Sequence, residues 1–116
     1  MSSMESQKQK PPAISVLLSV YNSEKYVAIA IESILNQTFT DFELIVVDDC
    51  SCDSSWELIQ QYSRKDKRIV AIRNEVNLGG CKTLNAGLAL CAGKYIARLD
   101  NDDWSYPDRL AKQYNF

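Results

Sequence analysis

The chain has 116 residues, of which 46% are hydrophobic and 24% are charged, and its net charge is −2. This size and composition are typical of a single globular domain that buries a core without disulfides. A nucleic-acid-binding protein usually carries a basic stripe. The densest basic segment, residues 64–68, is interrupted by Asp66 and is interpreted as a solvated helix end, so no nucleic-acid partner is expected.

The cysteines and the first residues indicate where the protein works. There are four cysteines and no histidine; Cys50 and Cys52 form a CxC, and no pair has the CxxC spacing of a structural zinc site. Residues 1–12 are polar and contain no apolar run of the kind found in a signal peptide or a membrane span. We therefore expect a disordered tail over residues 1–12, a cytoplasmic location and free thiols.

Four short runs rich in Val, Leu and Ile predict strands that are buried on both faces. These are Ile14 to Val20, Phe42 to Val47, Ile69 to Ile72 and Tyr95 to Leu99. Helical spacing and start signals predict the segments between and after them. The first helix starts near Tyr26 with Ser23 as N-cap, the second at the capping box Ser54 to Glu57, the third after Gly79 and Gly80 with Gly93 closing it, and a last one at Pro107.

This alternation of strands and helices predicts βαβ crossovers, and right-handed crossovers make the sheet parallel. The fold class is therefore α/β, with one domain over residues 13–116. In an open parallel sheet, ligands bind outside the carboxyl ends of the strands. Three such ends carry polar residues, namely Tyr21 with Asn22, Asp48 with Asp49, and residues 100–103.

The densest acidic group is Asp100, Asp102 and Asp103, which directly follows a predicted buried strand. Mutual repulsion there favours a compensating cation. Oxygen ligands suit Mg²⁺ or Mn²⁺, which bind through one or two carboxylates together with the phosphates of a substrate. The alternative is that these acids are solvated loop residues or cap the helix after Trp104.

Four segments in order carry a resemblance that covers nearly all of the chain: ISVLLSVYNSEKYV, SILNQTFTDFELIVVDDCSCDSS, NLGGCKTLNAGL and GKYIARLDNDDWSYPDRL. They resemble the first half of glycosyltransferase family 2. The resemblance implies a Rossmann-like GT-A fold, a three-layer parallel sheet with flanking helices that stops before the acceptor half. It also implies inverting transfer from a nucleotide sugar, most often a UDP-sugar, in polysaccharide biosynthesis.

The resemblance implies a role for each polar position at this edge. Contacts to base and ribose are implied for Ser19, Val20, Tyr21 and Asn22, and a hydrogen bond from the base, usually uracil, for Asp49 and Asp48. Asp48 has a second interpretation as a cap of the region from Ser51 to Ser54, and Asp53 is predicted to be a cap rather than a ligand.

The remaining implied positions concern the diphosphate, the donor sugar and the metal. Asn77, Gly79, Gly80, Lys82 and Asn85 resemble the segment near the pyrophosphate, where glycines permit close backbone approach. Asp100, Asp102 and Asp103 resemble the DxD element, with Asp102 as the first choice of ligand for Mn²⁺ or Mg²⁺. The cation would stabilise the departing nucleoside diphosphate while an acceptor hydroxyl attacks the anomeric carbon from the opposite face.

Three positions depart from the family pattern. Thr83 and Leu84 precede Asn85 where many relatives carry a basic residue, so contact with the pyrophosphate falls to Lys82. Cys50 and Cys52 replace the small Gly and Thr of the usual turn. The family's general base comes from its later half, so no catalytic residue is assigned here. The acceptor is expected to be a glycan or a lipid-linked molecule, which allows peripheral membrane association of a longer protein.

Three other function classes are compared with this one. A nucleotide-binding module without catalysis stays open for these 116 residues. A receiver domain also binds Mg²⁺ through paired acids, but it places them after the first strand and needs a later strand that ends in Lys. A dinucleotide oxidoreductase needs glycines after the first strand, where this chain has Tyr21, Asn22, Ser23 and Glu24.

Overall fold

The computed structural model describes residues 11–100, apart from the side chain of Asp100. The predicted tail up to residue 10, Asp102, Asp103 and the helix predicted from Pro107 lie outside the described residues. Seven elements follow one another in the predicted order. They are β1 (Ile14–Val20), α1 (Val27–Leu35), β2 (Phe42–Asp48), α2 (Ser55–Lys65), β3 (Ile69–Arg73), α3 (Gly80–Leu88) and β4 (Tyr95–Asp100).

The four strands form one sheet in the order β3-β2-β1-β4, and every neighbouring pair is parallel. The prediction of a parallel α/β sheet is therefore confirmed. β1 lies inside the sheet, in register with β2 from Ile14 opposite Phe42 to Val20 opposite Asp48. Because the strands are parallel and in register, the turns that follow β1 and β2 and the carboxyl end of β4 lie at the same edge.

The core is divided between the two faces of the sheet, because successive side chains of a strand point to opposite faces. On one face, β1 residues such as Val16 and Leu18 pack with Ile31 of α1 and Ile59 of α2. On the other face, a smaller cluster of Leu17, Ile45 and Val47 packs against Leu84 of α3. Helices on both faces of the sheet make the predicted three layers.

Two predicted helix caps are wrong. Helix α1 begins at Val27, and the Ser23 side chain donates to the carbonyl of Tyr21 at 3.0 Å instead of capping the helix. Ser23 contributes through its backbone, because its carbonyl oxygen accepts from the Val27 N–H at 2.8 Å. Ser54 is at the N-cap of α2 but its side chain makes no capping hydrogen bond. That role belongs to Asp53, whose Oδ1 accepts from the Ser55 N–H at 2.9 Å.

The third helix is shorter than predicted. It ends at Leu88, so Leu90 and Gly93 belong to the connection into β4 rather than to the helix. Gly93 is required for close approach instead, because a Cβ there would lie 2.6 Å from the backbone nitrogen of Ser15. None of the helices among residues 11–100 has the length and the apolar character that a membrane span requires.

Candidate functional site

An open pocket with a volume of about 240 Å³ lies at the carboxyl ends of β1 and β2, where sequence reasoning expects ligands. The residues that line it come from the end of β1 and the turn after it, the turn after β2, the segment before α3 and the first turn of α3. They are Ser19, Val20, Tyr21, Asp49, Asn77, Gly79, Gly80 and Thr83. Seven of these eight residues are among those that the sequence singled out, and Thr83 is the exception.

Asp49 is the acidic residue of this pocket. Its side chain is almost fully buried, with 5% of its surface exposed. Its carboxylate accepts hydrogen bonds from the Leu78 N–H at 2.8 Å, from Asn74 Nδ2 at 2.9 Å and from the Gly79 N–H at 3.0 Å. Burial would raise the pKa of this carboxyl, but these hydrogen bonds outweigh burial and hold the pKa below 3.8. Asp49 is therefore an ionised acceptor at neutral pH.

Asp48 differs from its neighbour and does not line the pocket. It has no exposed surface. One carboxylate oxygen accepts from the Ser51 N–H at 2.9 Å and the other from the Ser51 hydroxyl at 2.6 Å. Arg73 lies 3.5 Å away and forms an ion pair with it. This is the capping role that the sequence left as an alternative. The assignment of Asp48 to the base is corrected accordingly, because a fully buried and bonded carboxylate presents no face to a ligand.

Asn22 connects the turns after β1 and β2. Its N–H donates to Ser51 Oγ at 2.8 Å, and its side-chain oxygen accepts from the Cys52 N–H at 2.7 Å. It has a positive φ of 49°, a conformation that asparagine adopts more readily than most residues. Cys50 likewise has a φ of 62°, which explains why this turn usually carries glycine in the pattern described above. Asn22 thus positions the turn beside Tyr21 and is not itself part of the pocket lining.

The first turn of α3 forms one wall of the pocket. Gly79 has a φ of 88° and precedes the helix, and a Cβ at Gly79 or Gly80 would meet no atom within 4 Å. The glycines therefore leave open the space in front of the first backbone N–H groups of the helix, which carry partial positive charge. Lys82, in the first turn of α3, and Asn85, in the next turn, are exposed and do not line the pocket.

The acidic segment begins at the edge of the same pocket. The Cα of Asp100 is the register partner of Ser19, a pocket residue, because β4 pairs with β1 along its whole length. Asp102 and Asp103 follow outside the described residues. Over the described part of the chain, no group of three or more acidic or cysteine side chains is arranged to hold a metal ion. The last described strand therefore ends beside the pocket, and the assignment of Asp100, Asp102 and Asp103 as metal ligands stays a prediction.

Residues 15–116 match the sequence profile described as Glycosyl transferase family 2. The chain belongs to this family. It is 46% identical over 107 residues to an uncharacterized glycosyltransferase of Methanocaldococcus jannaschii, a match that covers 90% of this chain and 37% of that protein. It is 38% identical over 105 residues to TuaG of Bacillus subtilis, a putative teichuronic acid biosynthesis glycosyltransferase, covering 90% of this chain and 42% of that protein.

A solved structure supports the same conclusion for the fold. The chain superimposes on S. aureus TarS in complex with UDP-GlcNAc with a TM-score of 0.82 and 32% identity, covering 88% of this chain and 30% of that one. The predicted GT-A fold is thereby confirmed. The chain spans about two fifths of the length of these two relatives.

The site predicted from the sequence did not include two residues that the structure places at this candidate site. Asn74 donates to Asp49 from the end of β3, and Thr83, which has no exposed surface, lines the pocket from α3. The signal for Asn74 was available, because it comes two residues after the predicted end of a parallel strand, as Asp49 does. Thr83 carried no such signal, since a threonine inside a helix is usually a packing residue.

Proposed function

We propose that the protein to which this chain belongs transfers a sugar from a UDP-sugar to a glycan or lipid-linked acceptor, with inversion at the anomeric carbon. In this proposal the described domain supplies the nucleotide site. The observation that carries it is the pocket in which an ionised carboxylate, an aromatic ring and a helix N-terminus meet at the carboxyl ends of β1 and β2.

The base and ribose fit the part of the pocket between Tyr21 and Asp49. The Tyr21 side chain is 46% exposed at the pocket, so its ring is available to pack against a planar base. The Asp49 carboxylate accepts hydrogen bonds only, so it favours a base that presents an N–H at this position, as uracil does. The TarS structure, which contains UDP-GlcNAc and shares this fold, supports a uridine nucleotide as donor.

The diphosphate fits the wall formed by the start of α3. Backbone N–H groups at a helix N-terminus bind phosphate oxygens, and the two glycines allow the phosphate to approach the backbone closely. Lys82 is exposed in the first turn of the same helix and would add a positive charge near the diphosphate. Asn77 and Asn85, at either end of the segment, would contact the phosphates or the donor sugar.

A divalent cation, Mn²⁺ or Mg²⁺, would be held by Asp102 with Asp100 and Asp103. The donor set fits, because carboxylate oxygens are the ligands that these hard cations prefer, and Asp100 lies opposite Ser19 at the pocket edge. When bound, the cation would supply charge neutralisation on the departing diphosphate. The family's general base is not assigned to a residue of this chain, which spans 37% of its M. jannaschii relative. We place the reaction in the cytoplasm, with peripheral membrane association of the longer protein when the acceptor is a lipid.

Titration calorimetry of the chain with UDP, with and without Mn²⁺, tests the nucleotide site and the metal together. We expect binding that depends on Mn²⁺ and that Asp102→Ala removes. The matched control is Asp41→Ala, because Asp41 is exposed and directly precedes β2, at the opposite edge of the sheet. Absence of UDP binding by the unmodified chain would contradict the proposed nucleotide site. Equal binding with and without Mn²⁺ would contradict the proposed role of the metal.

An activity assay on the 116-residue chain distinguishes sugar transfer from nucleotide binding without catalysis. An assay of UDP-sugar hydrolysis or transfer by the 116 residues is expected to show no turnover, because the proposal places the base in the longer protein. Turnover at a rate near that of full-length relatives would contradict that part of the proposal. Binding without turnover would support the domain as the donor site.

A further inference from the structure

Asn74 connects three elements at the edge of the pocket. Its backbone N–H donates to the carbonyl of Asp48 at 2.8 Å, which fixes the residue at the end of β3. Its side-chain Nδ2 donates both to Asp49 Oδ1 at 2.9 Å and to Thr83 Oγ1 at 3.1 Å. A single amide group therefore links the carboxylate that follows β2 to the first turn of α3.

Thr83 is the second member of this network. It has no exposed surface, and its hydroxyl is among the groups that lower the pKa of Asp49. A valine at position 83 has nearly the same shape but lacks the hydroxyl, so it would leave the Asn74 amide without one of its two acceptors. Buried polar groups that lose a partner are costly, which makes this exchange informative.

We propose that Asn74 and Thr83 are positioning residues that hold the carboxylate of Asp49, together with the turn over residues 77–80, in the orientation that receives the nucleotide base. The inference rests on the proposed function, because it assumes that a uridine nucleotide occupies the pocket. Neither residue needs to touch the nucleotide through its polar group.

The physical reason lies in how a carboxylate is oriented. The terminal torsion of aspartate has broad minima, so the side chain alone does not fix the direction of its oxygens. In this site the Leu78 and Gly79 N–H groups contact the carboxylate from the turn, and Asn74 contacts it from β3. Removing Asn74 leaves the carboxylate attached to the turn alone. Nucleotide binding must then order the carboxylate and the turn together, and the free-energy cost of that ordering weakens the affinity.

The test is the affinity for UDP in the presence of Mn²⁺, measured by titration calorimetry on four forms of the chain. They are the unmodified chain, Asn74→Ala, Thr83→Val and Thr83→Ser. Ordering one released side chain on binding corresponds to a loss of affinity of up to about tenfold. We therefore expect about tenfold weaker binding by Asn74→Ala and Thr83→Val, and binding within about twofold of the unmodified chain by Thr83→Ser, which keeps the hydroxyl.

A double substitution shows whether Asn74 acts through Asp49. In an Asp49→Asn background, Asn74→Ala should weaken UDP binding by less than about twofold, because residues that act through one shared group are not additive. An undiminished tenfold effect in that background would overturn the inference. So would binding by Asn74→Ala or Thr83→Val equal to that of the unmodified chain.

The outcomes separate this inference from the proposed function. Failure of the unmodified chain to bind UDP overturns both, whereas normal binding by the unmodified chain and by all variants overturns the positioning role alone. Thermal unfolding of each variant establishes that it is folded at the titration temperature. If Asn74→Ala does not fold, the comparison of Thr83→Val with Thr83→Ser decides the question, because valine keeps the branched shape without the hydroxyl and serine keeps the hydroxyl without the methyl group.

Discussion

Asp48 and Asp49 are adjacent and chemically identical, yet the structure predicts different consequences when each is changed to asparagine. Asp48 has both carboxylate oxygens bonded to Ser51 and no exposed surface, whereas Asp49 lines the pocket. Asparagine has nearly the same shape and keeps one acceptor oxygen. The pair of substitutions therefore isolates the charge and one hydrogen bond at each position.

The expected magnitude for Asp48→Asn follows from its contacts. One of the two hydrogen bonds with Ser51 loses its charged acceptor, which costs about 1.5–3 kcal/mol of unfolding free energy. The Arg73 side chain of the ion pair is 43% exposed, so solvent screening limits its contribution to about 1 kcal/mol or less. We expect Asp48→Asn to lower the free energy of unfolding by about 2–4 kcal/mol. Nucleotide affinity of the folded protein should change by less than about twofold.

Asp49→Asn should also lower stability, because an amide nitrogen replaces one acceptor opposite the donors from Leu78 and Gly79. Only this variant changes the surface that faces the ligand, so we expect its affinity for UDP to fall by about tenfold or more. Urea unfolding followed by circular dichroism measures the stability of both variants. Titration calorimetry at a temperature where both are folded measures their affinity.

Two results would contradict these different roles of Asp48 and Asp49. One is an Asp48→Asn variant that loses affinity as strongly as Asp49→Asn does. The other is an Asp48→Asn variant with the stability of the unmodified chain, since a fully buried carboxylate with two hydrogen bonds cannot then be contributing to the fold.

Two further predictions concern stability. Gly93→Ala places a Cβ 2.6 Å from backbone of β1 and should lower the free energy of unfolding by about 2 kcal/mol or more, measured by urea unfolding. Gly80→Ala is the control, because a Cβ at the start of α3 would enter open space, and its free energy of unfolding should stay within about 1 kcal/mol of that of the unmodified chain. Equal stability of the two variants would contradict the prediction for Gly93. The pKa values of Asp49, Asp53 and Asp66 are lowered in the folded state. In acid the unfolded chain therefore binds more protons than the folded chain does. We expect these carboxylates to contribute their whole stabilisation above about pH 5, and the free energy of unfolding to decrease as the pH falls through the lowered pKa values. Equal free energies of unfolding at about pH 6 and about pH 3 would contradict this prediction.

Local sequence patterns predicted the elements better than they predicted the contacts at their ends. The strand Ile14–Val20 was predicted with its observed bounds, because a run of apolar residues without charge has few alternatives to burial on both faces. The caps at Ser23 and Ser54 were wrong, since several short polar side chains at a turn compete for the same N–H groups. Asp53 accepts the hydrogen bond that the capping-box pattern assigned to Ser54, although Ser54 is the N-cap residue. Which of them bonds depends on backbone angles that no pattern of residue types specifies.

The sequence by itself determined the parallel α/β fold and the edge of the sheet at which the polar residues meet, because strand burial and crossover handedness leave few arrangements for this order of elements. The family came from the resemblance of four segments to glycosyltransferase family 2. Only the tertiary structure decided between the two neighbouring aspartates. Side chains at successive positions of an extended chain point in opposite directions, so one carboxylate turns inward to Ser51 and the other turns to the pocket. Asn74, which donates to Asp49, lies 25 positions after it, and Thr83, which accepts from Asn74, lies 9 positions farther on; only the folded sheet and helix bring the three within hydrogen-bonding distance of their partners.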